Sequence, residues 1–271
     1  MLEDNPGSSR PAEFVEALAK GLLILESFDA QHPEMTLSEV ARRVGLSPAA
    51  ARRGLLTLRA MGYVGQTGKR FHLRPKVMSL GSAFYFSARV DEVLQPELRR
   101  IVGTFGDASS VATLEGRDVL YIAHYSEQRA RRPTAVVGAR YPAHATSLGR
   151  VLLAGLPEAD FDRYMCAVEP VKLTRMTVVD KNEIRAIVEE VREKGYATAV
   201  DQLDYGITAL AVPIRGSSGR TIAALNSSGY SGVVTAEDLV ARRLQELRLA
   251  AGRLSLTLSR YPVLESIIGM R

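Results

Sequence analysis

Residues 36–61 read TLSEVARRVGLSPAAARRGLLTLRAM, and their spacing predicts two short helices joined by a sharp turn. Thr36 and Glu39 make a capping box: the hydroxyl takes an orphan backbone N–H, and the carboxylate three residues on reaches back. Leu37, Val40, Ala41 and Val44 follow at helical spacing and form one apolar face. Gly45 ends the helix, because glycine enters the left-handed conformation without a steric penalty. Ser47 is the next N-cap and Pro48 occupies the first helical position, where its missing N–H costs nothing. Leu55, Leu56 and Leu58 are expected inside, and Arg52, Arg53 and Thr57 outside. This is a helix-turn-helix whose second helix is the one that enters a major groove.

Charge points the same way. The chain of 271 residues carries a net charge of only +5. Residues 36–76 hold nine Lys and Arg against Glu39 alone, 9 − 1 = +8, which leaves 26 − 29 = −3 for the rest. A basic module on a mildly acidic body is the footprint of phosphate binding. The bland alternative is that these arginines merely solvate helix faces. Beyond the second helix, Tyr63–Val64 and Arg70–Leu73 are strand-like runs joined by a glycine-rich tip, so the motif is expected to be winged, with Lys69 and Arg70 facing a backbone or minor groove. The residues expected against DNA are Ser47, Ala49, Ala50, Arg52, Arg53, Thr57, Lys69 and Arg70. Upstream, Phe14, Leu18, Leu22 and Leu25 predict an amphipathic helix that completes an all-α core, after a disordered lead-in over residues 1–12.

Length allows two domains of about 75 and about 170 residues. The predicted boundaries are 13–74 for the DNA-binding domain, 75–90 for a linker helix and 91–262 for the second domain. A 46% hydrophobic and 24% charged composition is that of ordinary globular protein. No apolar run is long enough to span a bilayer, and no signal-peptide core is visible at the start. The one cysteine, Cys166, excludes an internal disulfide and suits a reducing cytoplasm.

The second domain reads as α+β. Ser110–Leu114 and Val119–His124 are strands around a Glu115–Asp118 hairpin, and Ala135–Val137 is a further short candidate. Helices are expected at Pro96–Val102, Thr146–Ala154, Pro157–Tyr164 and Glu183–Lys194. Strands follow at Ala197–Val200, Thr208–Ile214 and Thr221–Ser227, and Thr235 caps a last helix to about Leu258. Catalytic signatures are missing: His32, His72, His124 and His144 are scattered, and there is no nucleophile elbow, phosphate loop or dinucleotide fingerprint. Ser147 is expected to be a helix-start residue bonding a backbone amide rather than a nucleophile, and that helix start suits a carboxylate. No enzyme activity, metal or cofactor is expected.

Residues 14–28 (FVEALAKGLLILESF), 36–58, 141–157 (YPAHATSLGRVLLAGLP) and 201–230 (DQLDYGITALAVPIRGSSGRTIAALNSSGY) together resemble an IclR-type transcriptional regulator over most of the chain. The resemblance is strongest to the branch controlling protocatechuate, 4-hydroxybenzoate and β-ketoadipate pathway genes. It implies an N-terminal all-α winged helix-turn-helix joined by a linker helix to a C-terminal α+β GAF-like effector domain, acting as a homodimer or dimer of dimers on double-stranded operator DNA. It also implies a small organic acid as effector, held by Ser147, Leu148, Asp201, Ile207, Ala209, Asn226 and Ser228. Ile207/Ala209 and Asn226/Ser228 alternate on two strands, so each pair shares a face. Tyr205 is a candidate to stack on an aromatic ring, and Arg129, Arg131 or Arg132 to pair with a carboxylate. Two readings compete: a DNA-binding protein whose second domain only oligomerises, and an enzyme tethered to DNA.

Overall fold

A computed structural model describes residues 11, 13–87, 89–127 and 136–269, and the chain divides into two compact units, 1–84 and 85–271. The lead-in expected over residues 1–12 lies, Pro11 apart, outside the described residues.

The first unit holds helix α1 (Glu16–Glu26), strand β1 (Glu34–Thr36), helices α2 (Leu37–Arg43) and α3 (Pro48–Ala60), and strands β2 (Val64–Thr67) and β3 (Arg70–Leu73). It is therefore not all-α. A three-stranded antiparallel sheet in the order β1-β3-β2 sits beside the helices, and Met35 pairs with Phe71 across it. Strand β1 is only three residues long, too short for an alternation pattern to announce it. Tyr63 precedes β2 rather than opening it. The core is Ile24, Leu25, Met35, Val40, Val44, Leu55, Leu58, Val64 and Phe71. Leu56 is only half-buried.

The face expected of α1 is corrected. Phe14 lies ahead of the helix, and Leu18 and Leu22 are 64% and 47% exposed, while Ile24 and Leu25 make the core contact. In a helix rich in apolar residues all round, periodicity cannot choose the buried stripe.

A 3-10 turn (Pro75–Val77) leads into α4 (Met78–Ser87), which carries no buried residue. The second unit then runs α5 (Val90–Val93), α6 (Gln95–Phe105), β4 (Ala108–Glu115), β5 (Asp118–Ser126), β6 (Arg140–Pro142), a 3-10 turn (Ala143–Ala145), α7 (Ser147–Ala154), α8 (Glu158–Ala167), α9 (Lys181–Lys194), β7 (Ala197–Val200), β8 (Ile207–Arg215), β9 (Thr221–Tyr230), α10 (Ala236–Leu258) and α11 (Pro262–Ile268). Its six strands form one antiparallel sheet in the order β6-β5-β4-β9-β8-β7. The strand expected at Ala135–Val137 is not there: Ala135 lies outside the described residues, Val136 and Val137 lead into a turn at Gly138, and the strand begins at Arg140.

Strand alternation gives this sheet two unlike faces. One presents Ala112, Val119, Tyr121, Ala197, Ala211 and Ala224 to Leu148, Val151, Leu152, Phe161, Ile184 and Val188 of α7, α8 and α9. The other presents Leu210, Val212, Ile214 and Leu225, and α6 and α10 pack there. Small residues on the first face let α7 lie close to the sheet, and that closeness builds the site.

Candidate DNA interface and effector site

In the first unit the capping box closes as expected: Thr36 N–H donates to Glu39 Oε2 at 2.7 Å, and Glu39 N–H donates to Thr36 Oγ1 at 3.4 Å. The Thr36 N–H, the largest cause, and the Thr36 hydroxyl, which donates to Glu39 Oε2 at 2.9 Å, hold the Glu39 carboxyl below its ordinary pKa. Gly45 turns the chain at φ +66°, and Ser47 Oγ accepts from Ala50 N–H at 3.3 Å to start α3. Ala51, Leu55 and Leu58 of α3 are buried. Ser47, Ala49, Arg52, Arg53 and Thr57 lie on the open side, Ala50 is half-buried, and the Thr57 hydroxyl is turned onto the Arg53 carbonyl at 3.0 Å.

Tertiary contacts divide the nine cations counted in the sequence. Arg43 pairs with Asp29 and donates to the Ser27 carbonyl at 2.8 Å. Arg59 donates to Gln66, and Lys76 donates to the Met61 carbonyl at 2.8 Å while covering the Tyr63 ring. Arg70 lies 3.5 Å from Glu34 and 3.7 Å from Glu39. A window opened at Thr36 leaves out Asp29 and Glu34, and over 29–76 the balance is 9 − 3 = +6. Among the described residues Arg42, Arg52, Arg53, Lys69 and Arg74 have neither an ion pair nor a side-chain hydrogen bond, so these five remain to meet an anion. Of the two hairpin cations, Lys69 is open and Arg70 is already engaged.

In the second unit the site grows from the start of α7. Thr146, not Ser147, is the cap: its Oγ1 accepts from Gly149 N–H at 2.9 Å. The backbone N–H groups of Ser147 and Leu148, residues 2% and 0% exposed, meet no acceptor among the described residues. Buried donors left so are costly unless a ligand or water fills them. Gly149 makes the turn possible, because a Cβ there would stand 2.1 Å from the Ala143 carbonyl oxygen.

One turn on, buried Arg150 ties three segments together. It donates to the His144 carbonyl at 3.2 Å, the Thr198 carbonyl at 2.9 Å and Gln202 Oε1 at 2.9 Å. Burial without a carboxylate partner lowers its pKa to about 10. Gln202 in turn accepts from Val178 N–H at 3.0 Å and donates to the Met176 carbonyl at 2.5 Å. Thr174 Oγ1 donates to the Asp201 carbonyl at 2.5 Å and Thr177 Oγ1 to the Gln202 carbonyl at 2.7 Å, so the loop after β7 is anchored at both residues.

The predicted effector residues gather, with differences. Ala209 and Ala211 on β8 lie directly beside Ser228 and Asn226 on β9, all on the face that α7 covers. Asp201 adopts φ +52°, its N–H donates to the Ile207 carbonyl, and its Oδ1 accepts from Gly206 N–H at 2.8 Å and Ser231 Oγ at 2.7 Å. That oxygen braces the loop. Tyr205 is 56% exposed and its hydroxyl accepts from Arg175 N–H at 2.8 Å, so it fastens the loop from outside. Asn226 Oδ1 accepts from Ser110 N–H at 2.8 Å, and among the described residues only its Nδ2 is left without a partner. Ser228 Oγ reaches the Ala108 carbonyl at 3.4 Å. Arg129, Arg131 and Arg132 lie outside the described residues.

Sequence reading missed Ser110, His124, Arg150 and Gln202. Ser110 pairs in register with both Asn226 and His124, and its Oγ lies 2.9 Å from His124 Nδ1. The available signal was a serine and a histidine at inward positions of two otherwise apolar runs. No group of three or more His, Cys, Asp or Glu able to hold a metal occurs among the described residues.

Residues 17–68 match the IclR helix-turn-helix domain, and residues 85–256 match the bacterial transcriptional regulator IclR C-terminal domain. The chain belongs to the IclR family. Members of this family are transcriptional regulators rather than enzymes. The chain is 36% identical to the Pca regulon regulatory protein of Pseudomonas putida, over 89% of this chain and 83% of that one. It is 30% identical to the p-hydroxybenzoate hydroxylase transcriptional activator of Acinetobacter baylyi, over 90% and 92%. The crystal structure of an IclR homolog from Microbacterium hydrocarbonoxydans complexed with 4-hydroxybenzoate superposes with a TM-score of 0.71 at 26% identity, covering 89% of this chain and 98% of that one. Among the described residues no helix is long and apolar enough to cross a membrane.

Proposed function

We propose that this IclR-family chain is a ligand-responsive regulator in which α3 reads operator DNA and the second domain senses a small aromatic carboxylic acid. The hairpin β2–β3 is the wing of the motif, residues 13–74 are the DNA-binding domain, α4 lies in the linker, and residues 91–262 are a GAF-like sensor. Ser47, Ala49, Ala50, Arg52, Arg53 and Thr57 face the groove, and Lys69 at the hairpin tip meets a phosphate, which the five unengaged cations favour. Arg70 serves mainly to hold the hairpin to β1 and α2.

The observation that carries the sensing role is the pair of buried, unmet N–H groups at Ser147 and Leu148. Two converging backbone donors at the positive end of a helix suit a carboxylate. Ile207, Ala209, Asn226 and Ser228 form the floor beside them, and Asp201 and Tyr205 hold the loop that borders it. The relatives named for the pca regulon and p-hydroxybenzoate hydroxylase, and the homolog holding 4-hydroxybenzoate, support an aromatic acid as the class. The protein acts as a homodimer, so that two recognition helices reach two half-sites; the exposed Leu18 and Leu22 on α1 favour an apolar contact with a second copy. A ligand that prefers one arrangement of the dimer then shifts operator affinity.

Fluorescence anisotropy with DNA from upstream of the gene tests this reading. Affinity should fall steeply with salt and change at least severalfold when 4-hydroxybenzoate or protocatechuate is added. Salt-independent binding, or no effect of any aromatic acid on either affinity or melting temperature, would overturn it.

A further inference from the structure

The face beside α7 carries a polar row of which the sensing residues above include only Asn226. Register aligns His124 on β5, Ser110 on β4 and Asn226 on β9 across three neighbouring strands. The next row along the same face is Ala108 beside Ser228 and Ala209, all three small residues. Two strand spacings of about 4.8 Å each separate His124 from Asn226, so a ring lying over Ser110 touches both. At this place the backbone is held by Gln95 Nε2, which donates to the His124 carbonyl at 3.3 Å.

We infer that the His124–Ser110 pair is the specificity element of the sensor, reading a ring hydroxyl of a hydroxylated aromatic acid at the end remote from its carboxylate. The inference rests on the sensing role proposed above. Ser110, 2% exposed, occupies His124 Nδ1 at 2.9 Å and thereby orients the ring, while Nε2 has no hydrogen-bond partner among the described residues. Burial depresses the His124 pKa, so the imidazole is neutral at neutral pH. A neutral imidazole offers one donor and one acceptor, shared between Ser110 and the open nitrogen. That suits a neutral hydroxyl, which both gives and takes a hydrogen bond, better than a second carboxylate. The unengaged Nδ2 of Asn226 adds a donor from the same row. An acid lacking the hydroxyl would leave these polar groups desolvated and unpaired, which is how a site rejects the analogue.

The test is calorimetric binding of benzoate, 4-hydroxybenzoate and 3,4-dihydroxybenzoate to the full chain. The wild type should bind the better hydroxylated acid about tenfold or more tighter than benzoate. His124→Phe keeps ring volume and should bring that ratio close to one while leaving benzoate affinity within about twofold. His124→Gln should recover part of the preference. Ser110→Ala, a smaller change that leaves the fold intact, should also lower the ratio by freeing the ring to turn. Equal weakening of all three acids in His124→Phe, or an unchanged ratio in both His124→Phe and Ser110→Ala, would overturn the assignment and leave the sensing role standing. Failure of the wild type to bind any of the three acids would overturn the sensing role and this inference with it.

Discussion

Arg150 Nη2 donates to Gln202 Oε1 at 2.9 Å across 52 residues of sequence, joining α7 to the loop after β7, the two segments that frame the proposed effector site. The same Gln202 side chain also engages Met176 and Val178, so one amide sets the loop relative to α7. Replacing Gln202 by Ala removes the partner of Arg150 Nη2 and of two backbone groups, while Arg150 keeps the His144 and Thr198 carbonyls. Stability should fall by about 1–3 kcal/mol, read by chemical denaturation. Hydrogen exchange should rise over residues 174–178 and 200–206, and an unchanged exchange pattern would disprove the clamp.

Asp201 combines left-handed backbone at φ +52° with an Oδ1 that accepts two hydrogen bonds. Asparagine tolerates that conformation and keeps the oxygen, whereas alanine does neither. Asp201→Asn should stay within about 0.5 kcal/mol of the native stability, and Asp201→Ala should lose about 1–3 kcal/mol. Equal melting temperatures for the two variants would show that the brace contributes nothing.

On the DNA side, unengaged and engaged arginines should behave differently. Arg52→Ala and Arg53→Ala should each weaken operator binding by about 1–3 kcal/mol if they reach a base edge, and lower the salt slope by about one if they reach a phosphate. Arg43→Ala should leave that slope unchanged and cost about 0–1 kcal/mol of stability, because its pair with Asp29 is solvent-exposed. A drop in salt slope for Arg43→Ala equal to that for Arg52→Ala would contradict the division.

His144 is 2% exposed, its Nδ1 has no hydrogen-bond partner among the described residues, and burial is the largest cause holding its pKa below 6.5. Below about pH 6.5 the unfolded chain therefore binds a proton that the folded chain refuses, and stability declines as pH falls toward the folded pKa. Above that range the group has no effect on the pH slope. Denaturation midpoints at pH 7.5 and 5.5 should show a loss on acidification that shrinks in His144→Gln. A larger loss in the variant would reverse the sign and refute the account.

The reading frame of local chemistry was legible. Thr36 with Glu39, Gly45, and Ser47 with Pro48 act over three or four residues, and each turned out where its spacing required. Strand alternation likewise put Ala209 on one face with Ile207, and Ser228 on one face with Asn226, because a period of two survives any packing. Where several stripes of one helix are apolar, as on α1, spacing alone left Leu18 and Leu22 misassigned.

The amino-acid order thus determined the helix-turn-helix and the family, since both depend on neighbours along the chain. Only the folded sheet decided that Ser110 stands between His124 and Asn226, 116 residues away from the latter, and that Arg150 spends its charge on Gln202. Strand order and register bring such groups together, and nothing within a single strand encodes which partner lies across the ladder.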